Sequence, residues 1–593
     1  MKKAIFIFLV VVQICKAHAQ STTLSLELYG AKADGVVLSD GNINAGSSVL
    51  TSPSGAFKKS DVGKQIYITG AGTGGNTLIA QISSVNSGSS ASLSTNAMTS
   101  VSSAGITYGT DCTNAFITFN KKARTLNGKK VILKMQSGTY LTSFNNWISG
   151  IKNLTVNGNG CNVICTHGAI DPLGSPHANA GLYSPSCFDN VDNNYYTNKN
   201  ISDVSYGYKI NSAQAKTNLI KTISPQDAGN FNVGDWVLLY GLHHEDFGGF
   251  PPDPRYFEYA KVKTIDATSG TIYLDRKLVN SYDSGWPDGL LKGGVGAPRI
   301  ISLDRDNFTT MENLVMNDIT FLPFNGWTGK YAVSIRNGRF ELYGFIRATI
   351  SNLNAPAAYL GQGKKLIINR TTFKYYCEPD KVLDSTIIRS SNITSMTNAG
   401  GLNVLQLLNS TFNGPLNASP RVIYMDGNTF NTTGTTSQSL LSIAFNKGTD
   451  SIKIGSNIWN CTNRARTALF SPANSIKMTV GSVVDNNTVT VPYTAFVRDK
   501  NSRQVTPNAI GYTANKSNKF VVKRVFRYDA DNIGVMGTFT QTPNPGDVFV
   551  FSLAPNIQVL GKQTKNGSFA GQYKLFQNVD TKTNLMYKAN SYK

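Results

Sequence analysis

A short phrase repeats along residues 311–459 and limits what this chain can become: an apolar pair, a polar residue, a small polar residue, then a large apolar one. It appears at Leu314–Phe321, Leu366–Phe373, Ile387–Ile393, Leu407–Phe412 and Val422–Phe430, and more loosely at Ile452–Trp459. Phe373, Ile393, Phe412 and Phe430 close successive phrases 20, 19 and 18 residues apart. A fixed period near this length with strand-like alternation specifies a solenoid, whose units bury their apolar side only by stacking. The strands are short and joined by Asn, Ser and Gly, which predicts a parallel β-helix. A leucine-rich horseshoe would need a regular leucine frame and a helical return. Asn is expected at the corners because it tolerates left-handed backbone.

Residues 1–19 carry the features of a secretory signal: Lys2 and Lys3, an apolar run over 4–14, and Ala17-His18-Ala19 at the cut. The run is too short to span a bilayer, and no later segment is long enough. Ile14 before Cys15 makes a poor lipoprotein signature. The chain holds 56 basic and 35 acidic residues, a net charge of +21; without the three signal lysines, 53 basic residues face the same 35. An exported protein this basic predicts a polyanionic partner. Acidic polysaccharide fits better than nucleic acid, because no clustered Lys/Arg run interleaved with aromatics occurs. The spacing of Cys161, Cys165 and Cys187 does not suit a zinc ribbon. A disulfide among Cys112, Cys161, Cys165 and Cys187 is expected in an oxidising compartment, its pairing left open.

Tyr29-Gly30-Ala31-Lys32-Ala33-Asp34-Gly35 opens the mature domain. Later come Asp111-Cys112-Thr113-Asn114-Ala115, the strand Lys130–Lys134, Ser137-Gly138-Thr139-Tyr140 and Asn157-Gly158-Asn159-Gly160. Asp111 or Thr113 caps a helix whose apolar face is Ala115, Phe116, Phe119, Ala123 and Leu126. This order of motifs resembles the N-terminal part of the pectate-lyase-like superfamily, right-handed parallel β-helices of which many act on polysaccharides. The resemblance implies an all-β, right-handed parallel β-helix with an N-terminal capping helix and β insertions. It covers about residues 27–165 by motif and 300–460 by repeat. Gln136 stands where the family usually has Pro, and an insertion over residues 36–106 separates the halves of the opening motif. The expected plan is a cap and first coils over 20–165, early coils with a long hairpin insertion over 166–300, central coils over 301–470, and last coils with a C-terminal β cap over 471–593.

Function is sought in the polar interruptions. Lys374–Lys381 is expected as an inter-strand loop, with Tyr376, Lys381 and Arg389 as catalytic candidates, Lys374 and Tyr375 beside them, and Glu378 and Asp380 as Ca²⁺ ligands. A long loop at 241–258 offers His243 and His244 for catalysis, with Glu245 alongside and Arg255 and Tyr256 for substrate binding. Arg336, Arg339 and Glu341 read first as a solvated face and second as substrate contacts. A flat sheet face flanked by such loops suits an extended polymer. For a uronate polymer, elimination needs a clamp that neutralises the carboxylate and a base that takes the C5 proton. Hydrolysis needs two facing carboxylates. The expectation is a secreted, monomeric polysaccharide lyase acting on a glycosaminoglycan or pectin-like polymer. The alternatives are a glycoside hydrolase on the same fold and a non-catalytic adhesin or tailspike-like module. The Asn-x-Asp, Asp-Asp, Gly-His-Gly, Arg-x-Lys series that polygalacturonases share is not found.

Overall fold

The computed structural model describes residues 21–126, 128–166, 182–184, 207–240, 257–279, 281–283, 298–304, 310–327, 337–399, 402–418, 420–432, 441–443, 451–461, 468–470, 476–492, 510–528, 531–551, 556–567 and 574–576. The expected signal therefore lies outside the described residues. The chain divides into two compact units. One comprises Met1–Ser184, Met311–Glu341 and Ile346–Ala357; the other comprises Pro185–Thr310, Leu342–Phe345 and Ala358–Lys593. Among the described residues, no helix is long and apolar enough to cross a membrane.

In the first unit, parallel strands Thr22–Ser25, Val131–Lys134, Asn153–Cys165 and Met311–Leu322 stack so that Leu133, Val156 and Met316 fall in register. The helix Thr113–Thr125 buries Ala115, Phe116, Phe119 and Ala123, and the Asp111 carboxylate accepts the N–H of Thr113 at 2.9 Å. Asn120, also buried, donates to the carbonyls of Trp147 and Ser149 at 3.0 and 2.9 Å. The two halves of the opening motif meet at Gly138. Its φ is +119°, and a Cβ there would lie 2.3 Å from the Ala33 carbonyl oxygen. That close approach lets Gly35 donate to Thr139 and Thr139 to Ala33. Gln136 donates its backbone N–H to the Tyr140 hydroxyl at 2.8 Å, a bond that a proline could not make. The Tyr140 hydroxyl in turn donates to Glu27.

The insertion is a closed six-stranded antiparallel barrel running in the order Val36–Ile43, Val49–Thr51, Ser90–Leu93, Leu78–Ser87, Gln65–Ile68 and Val101–Gly109. Ile43, Leu50, Ile66, Ile82, Ile106 and Tyr108 are among the residues that fill it. Lys64 ties it down, its ammonium 2.9 Å from both Asp34 and Asp61. Asp34 also accepts from the N–H and hydroxyl of Thr110.

In the second unit the repeat stacks as the sequence spacing predicts. Phe373, Ile393, Phe412, Phe430 and Trp459 pair in successive parallel strands and point inward. Phe412 stacks on Phe430 at 5.3 Å and Phe430 on Trp459 at 4.3 Å. The left-handed residues at the corners here are Arg370, Ser390, Asn409 and Gly427, and Asn159 and Asn352 take the same conformation in the first unit, so Asn recurs at the corners but shares them with other residues. Asn does its distinctive work one position later. Thr371 donates its N–H to the Ser391 hydroxyl, Ser391 to Ser410, Ser410 to Asn428 and Asn428 to Asn457, at 3.0–3.2 Å.

Two antiparallel sheets interrupt this unit. One has seven strands between Tyr208 and Ser302. The other has seven strands between Ile476 and Phe551. After the second, the chain returns to the solenoid. Asn556–Val559 and Gln563–Gly567 pair with Ser451–Ile454 and Asn457–Cys461, and Gln563 accepts the indole N–H of Trp459 at 2.9 Å.

Two stability tests follow from these contacts. Phe430→Ala should cost about 3–5 kcal/mol in chemical denaturation, because it opens the middle of the ring stack. Thr429→Ala, outward on the same strand, should change stability by less than about 0.5 kcal/mol. For Asp34, burial raises the carboxyl pKa, but the Lys64 and Thr110 bonds outweigh it and the net shift is downward. A depressed carboxylate contributes stability that is present above its unfolded pKa of about 3.9 and is lost as pH falls through the folded value. The melting-temperature gap between wild type and Asp34→Asn should therefore be widest near neutrality and narrow below about pH 4.

Candidate functional site

The site is built on the second unit's parallel sheet, where side chains alternate between core and solvent. Ile388, Leu407, Met425 and Ile454 are fully buried. Their neighbours face outward in a file: Ile387, Gln406, Tyr424, Lys453 and Gln558 are register partners on successive strands. Two residues further along each strand, Arg389 pairs with Leu408 and Leu408 with Asp426. Arg389 and Lys453 are exposed, and Gln406, Tyr424 and Asp426 half-buried. Successive strands lie about 4.8 Å apart, which places charged, amide and aromatic groups at regular intervals on an open surface.

Two groups in this file are fixed. The Tyr424 hydroxyl donates to Asp426 Oδ2 at 3.2 Å, and the Ser456 N–H donates to Asp426 Oδ1 at 2.8 Å. Partial desolvation and then the Asp426 charge push the Tyr424 hydroxyl pKa upward. Past the corners at Ser390, Asn409 and Gly427, Asn413 donates to Asn392, Asn431 to Asn413 and Asn460 to Asn431 at 2.6–2.8 Å, a side-chain ladder that links the next run of strands.

The expected loop at Lys374–Lys381 is strand. Thr372–Arg389 runs continuously, because Cys377 is fully buried, pairs with Met396 and donates its N–H to the Ser395 carbonyl at 2.8 Å. Lys374 and Tyr375 are exposed, with the Lys374 ammonium 5.4 Å from the Tyr375 ring centre, and Tyr376 is half-buried. Glu378 is half-buried, and the side chains of Asp380 and Lys381 lie outside the described residues. Ca²⁺ takes six to eight oxygens. Among the described residues, no group of three or more His, Cys, Asp or Glu side chains converges to start such a cage.

Arg339 and Glu341 do not form a solvated face. They are a buried ion pair, with Glu341 2 % exposed. Arg336, His243, His244, Glu245, Arg255 and Tyr256 lie outside the described residues, as does Cys187. The segment with the histidines leaves and rejoins the antiparallel sheet where Tyr240 pairs with Phe257. Just inside that point two charges are buried. Glu258 accepts from the Val279 N–H and the Tyr282 hydroxyl at 3.0 and 3.1 Å, and Arg299 donates to the Gly207 carbonyl at 2.8 Å. Cys112, Cys161 and Cys377 are buried free thiols, and burial pushes those of Cys112 and Cys161 up to about 11 and about 12. In the first unit a cavity of about 10 Å³ among Thr142, Phe144, Trp147, Val163 and Phe321 has room for one water and none for a sugar ring.

Of the outward residues on these strands, the sequence singled out Arg389 and not Gln406, Tyr424, Asp426 or Lys453. Each sits at an outward position within the repeated phrase, so the signal was the phase of the repeat and not any motif.

Parallel coils, inward stacks and hydrogen-bonded turns define the chain as a parallel β-helix protein. No protein-family model and no curated protein matches the sequence. Solved structures that match include three phage tailspikes, each covering 74 % of this chain and 92 % of its own. They are the Gp54 tailspike of Acinetobacter baumannii bacteriophage AP22 in complex with A. baumannii capsular saccharide (11 % identity, TM-score 0.26), the gp61 tailspike of Pseudomonas phage phi297 (9 %, 0.26) and the gp49 tailspike of Pseudomonas phage LKA1 (10 %, 0.29). At these values the architecture rests on the strand pairing described above.

The Tyr424–Asp426 bond has a direct test. Tyr424 should titrate above the ordinary tyrosine value of about 10, and Asp426→Asn should lower its pKa. Ring-labelled tyrosine NMR across pH 8–12 reads both; no change in Asp426→Asn would show that the carboxylate does not hold the hydroxyl.

Proposed function

We propose that this is a secreted enzyme that binds an acidic, uronate-containing polysaccharide along the open sheet face of its second unit and cleaves it by β-elimination. The observation that carries the reading is the outward file of Gln406, Tyr424 and Lys453, with Arg389 in the file beside it, on a chain of net charge +21. The strand spacing is close to the length of one pyranose unit in an extended chain, so consecutive sugars can meet consecutive coils. Glycosaminoglycans and pectin-like polymers are the substrate classes with the required carboxylates.

Elimination assigns a task to each group. The Arg389 guanidinium neutralises the uronate carboxylate and so acidifies the adjacent C5 proton. A base takes that proton; Tyr376, Lys381, His243 and His244 are the candidates for it, all from outside strands 385–389, 404–408, 422–426 and 451–454. The electron pair forms the C4–C5 double bond as the C4–O bond breaks. The departing oxygen takes a proton from the Tyr424 hydroxyl, which, like any ordinary tyrosine, is protonated at neutral pH. Lys453 and Gln406 hold neighbouring sugars. Hydrolysis fits this face less well: of the outward residues on strands 385–389, 404–408, 422–426 and 451–454, Asp426 is the one carboxylate, and two hydrogen bonds already engage it.

The test is ultraviolet absorbance of unsaturated product on a panel of polyuronates and glycosaminoglycans. Arg389→Ala should lower kcat/KM about 10²-fold or more, and Lys453→Ala should act mainly on KM. Reducing ends released from a neutral glycan without ultraviolet product would replace elimination by hydrolysis. Binding without any cleavage would make the protein an adhesin.

A further inference from the structure

The antiparallel sheet between Ile476 and Phe551 has a second face that the elimination reaction does not use. Its strands run in the order Ile476–Thr479, Val548–Phe551, Ile510–Thr513, Lys519–Arg527, Asn532–Phe539, Thr488–Pro492 and Ser482–Asp485. One face is core. Met478, Phe549, Phe551, Phe520, Val522 and Val535 are buried there, with Phe520 stacked on Phe539 at 4.0 Å. The domain thus closes its own hydrophobic centre and has no need of the other face for stability.

The other face is patterned. Lys477, Val550, Tyr512 and Lys519 are register partners across four adjacent strands and form one row. Ile510 pairs with Val521 in a neighbouring row, and Val548 lies on the other side. Tyr512 is 40 % exposed, Ile510 39 % and Val548 37 %, and both lysines are exposed. No carboxylate occupies any of these register positions. Neighbouring strands lie about 4.8 Å apart, so Lys519 stands one strand from the Tyr512 ring and Lys477 two strands away on the opposite side. An exposed aromatic and aliphatic patch on a soluble sheet marks an interaction surface. Two flanking cations with no carboxylate in their row restrict what fits it.

We propose that this face is an accessory binding surface for an acidic polysaccharide chain. The Tyr512 ring takes the apolar face of one sugar, and Lys477 and Lys519 take the carboxylates on either side. This rests on the polyanionic substrate proposed above and adds a contact separate from the chemistry. A polymer long enough to touch both surfaces is held by two attachments and so dwells longer than either alone would allow. Short fragments gain nothing from the second.

The full-length protein tests this by affinity electrophoresis through gels containing polygalacturonate, hyaluronan or chondroitin sulfate. Tyr512→Ala and the pair Lys477→Gln with Lys519→Gln should weaken retention about tenfold on whichever polymer retains wild type, with Tyr512→Phe close to wild type. The same variants should cleave a short oligosaccharide at the wild-type rate, whereas Arg389→Ala should lose that cleavage. Near-ultraviolet circular dichroism confirms that the substituted sheet is folded. If the Tyr512 and lysine variants are retained like wild type while Arg389→Ala is not, the accessory surface is refuted and the proposed function stands. If wild type is retained by no polyanion, both are refuted.

Discussion

The turns at Thr371, Ser391, Ser410 and Asn428 each place a backbone N–H where it would be buried without a partner. The structure meets this with a side-chain oxygen from the next coil: Ser391 for Thr371, Ser410 for Ser391, Asn428 for Ser410 and Asn457 for Asn428. The same side chains also donate back to their own coil or the previous one, as Ser410 does to Leu408 and Asn428 to Leu407. A buried donor left alone costs about 1–3 kcal/mol, so each turn depends on its successor. The ring stack of Phe412, Phe430 and Trp459 lies just past these turns. Polar turn and apolar stack together fix the register, and register is what lines up Gln406, Tyr424 and Lys453.

That dependence explains what the sequence displayed and what it hid. The repeat and its 18–20-residue spacing were legible because inward residues must be large and apolar in every coil. The outward residues obey no such rule. Tyr424 and Lys453 look like ordinary surface positions until pairing shows that they are neighbours. Lys374–Lys381 looked like a loop because it is polar and holds Pro379, yet buried Cys377 pins it into the sheet. Arg339 and Glu341 looked solvated because charge usually is, and their burial as a pair follows from tertiary packing that composition does not encode. The N-terminal motif carried more information than its length implies: Gly138, Asp34 and Thr110 are spread over a hundred residues and meet at one joint.

An open face and an excess of positive charge suit one kind of ligand better than others. A small metabolite needs a pocket that removes it from water. A polymer gains its affinity from many shallow contacts, repeated at the spacing of its own units. Arg389, Lys453, Lys477 and Lys519 are the cations proposed to make such contacts.

The most direct measurement compares binding of one polyuronate before and after methyl esterification of its carboxylates, at several salt concentrations. The account predicts tight binding of the free acid, steep weakening with salt, and loss on esterification. Equal binding of acid, ester and a neutral glucan would contradict it.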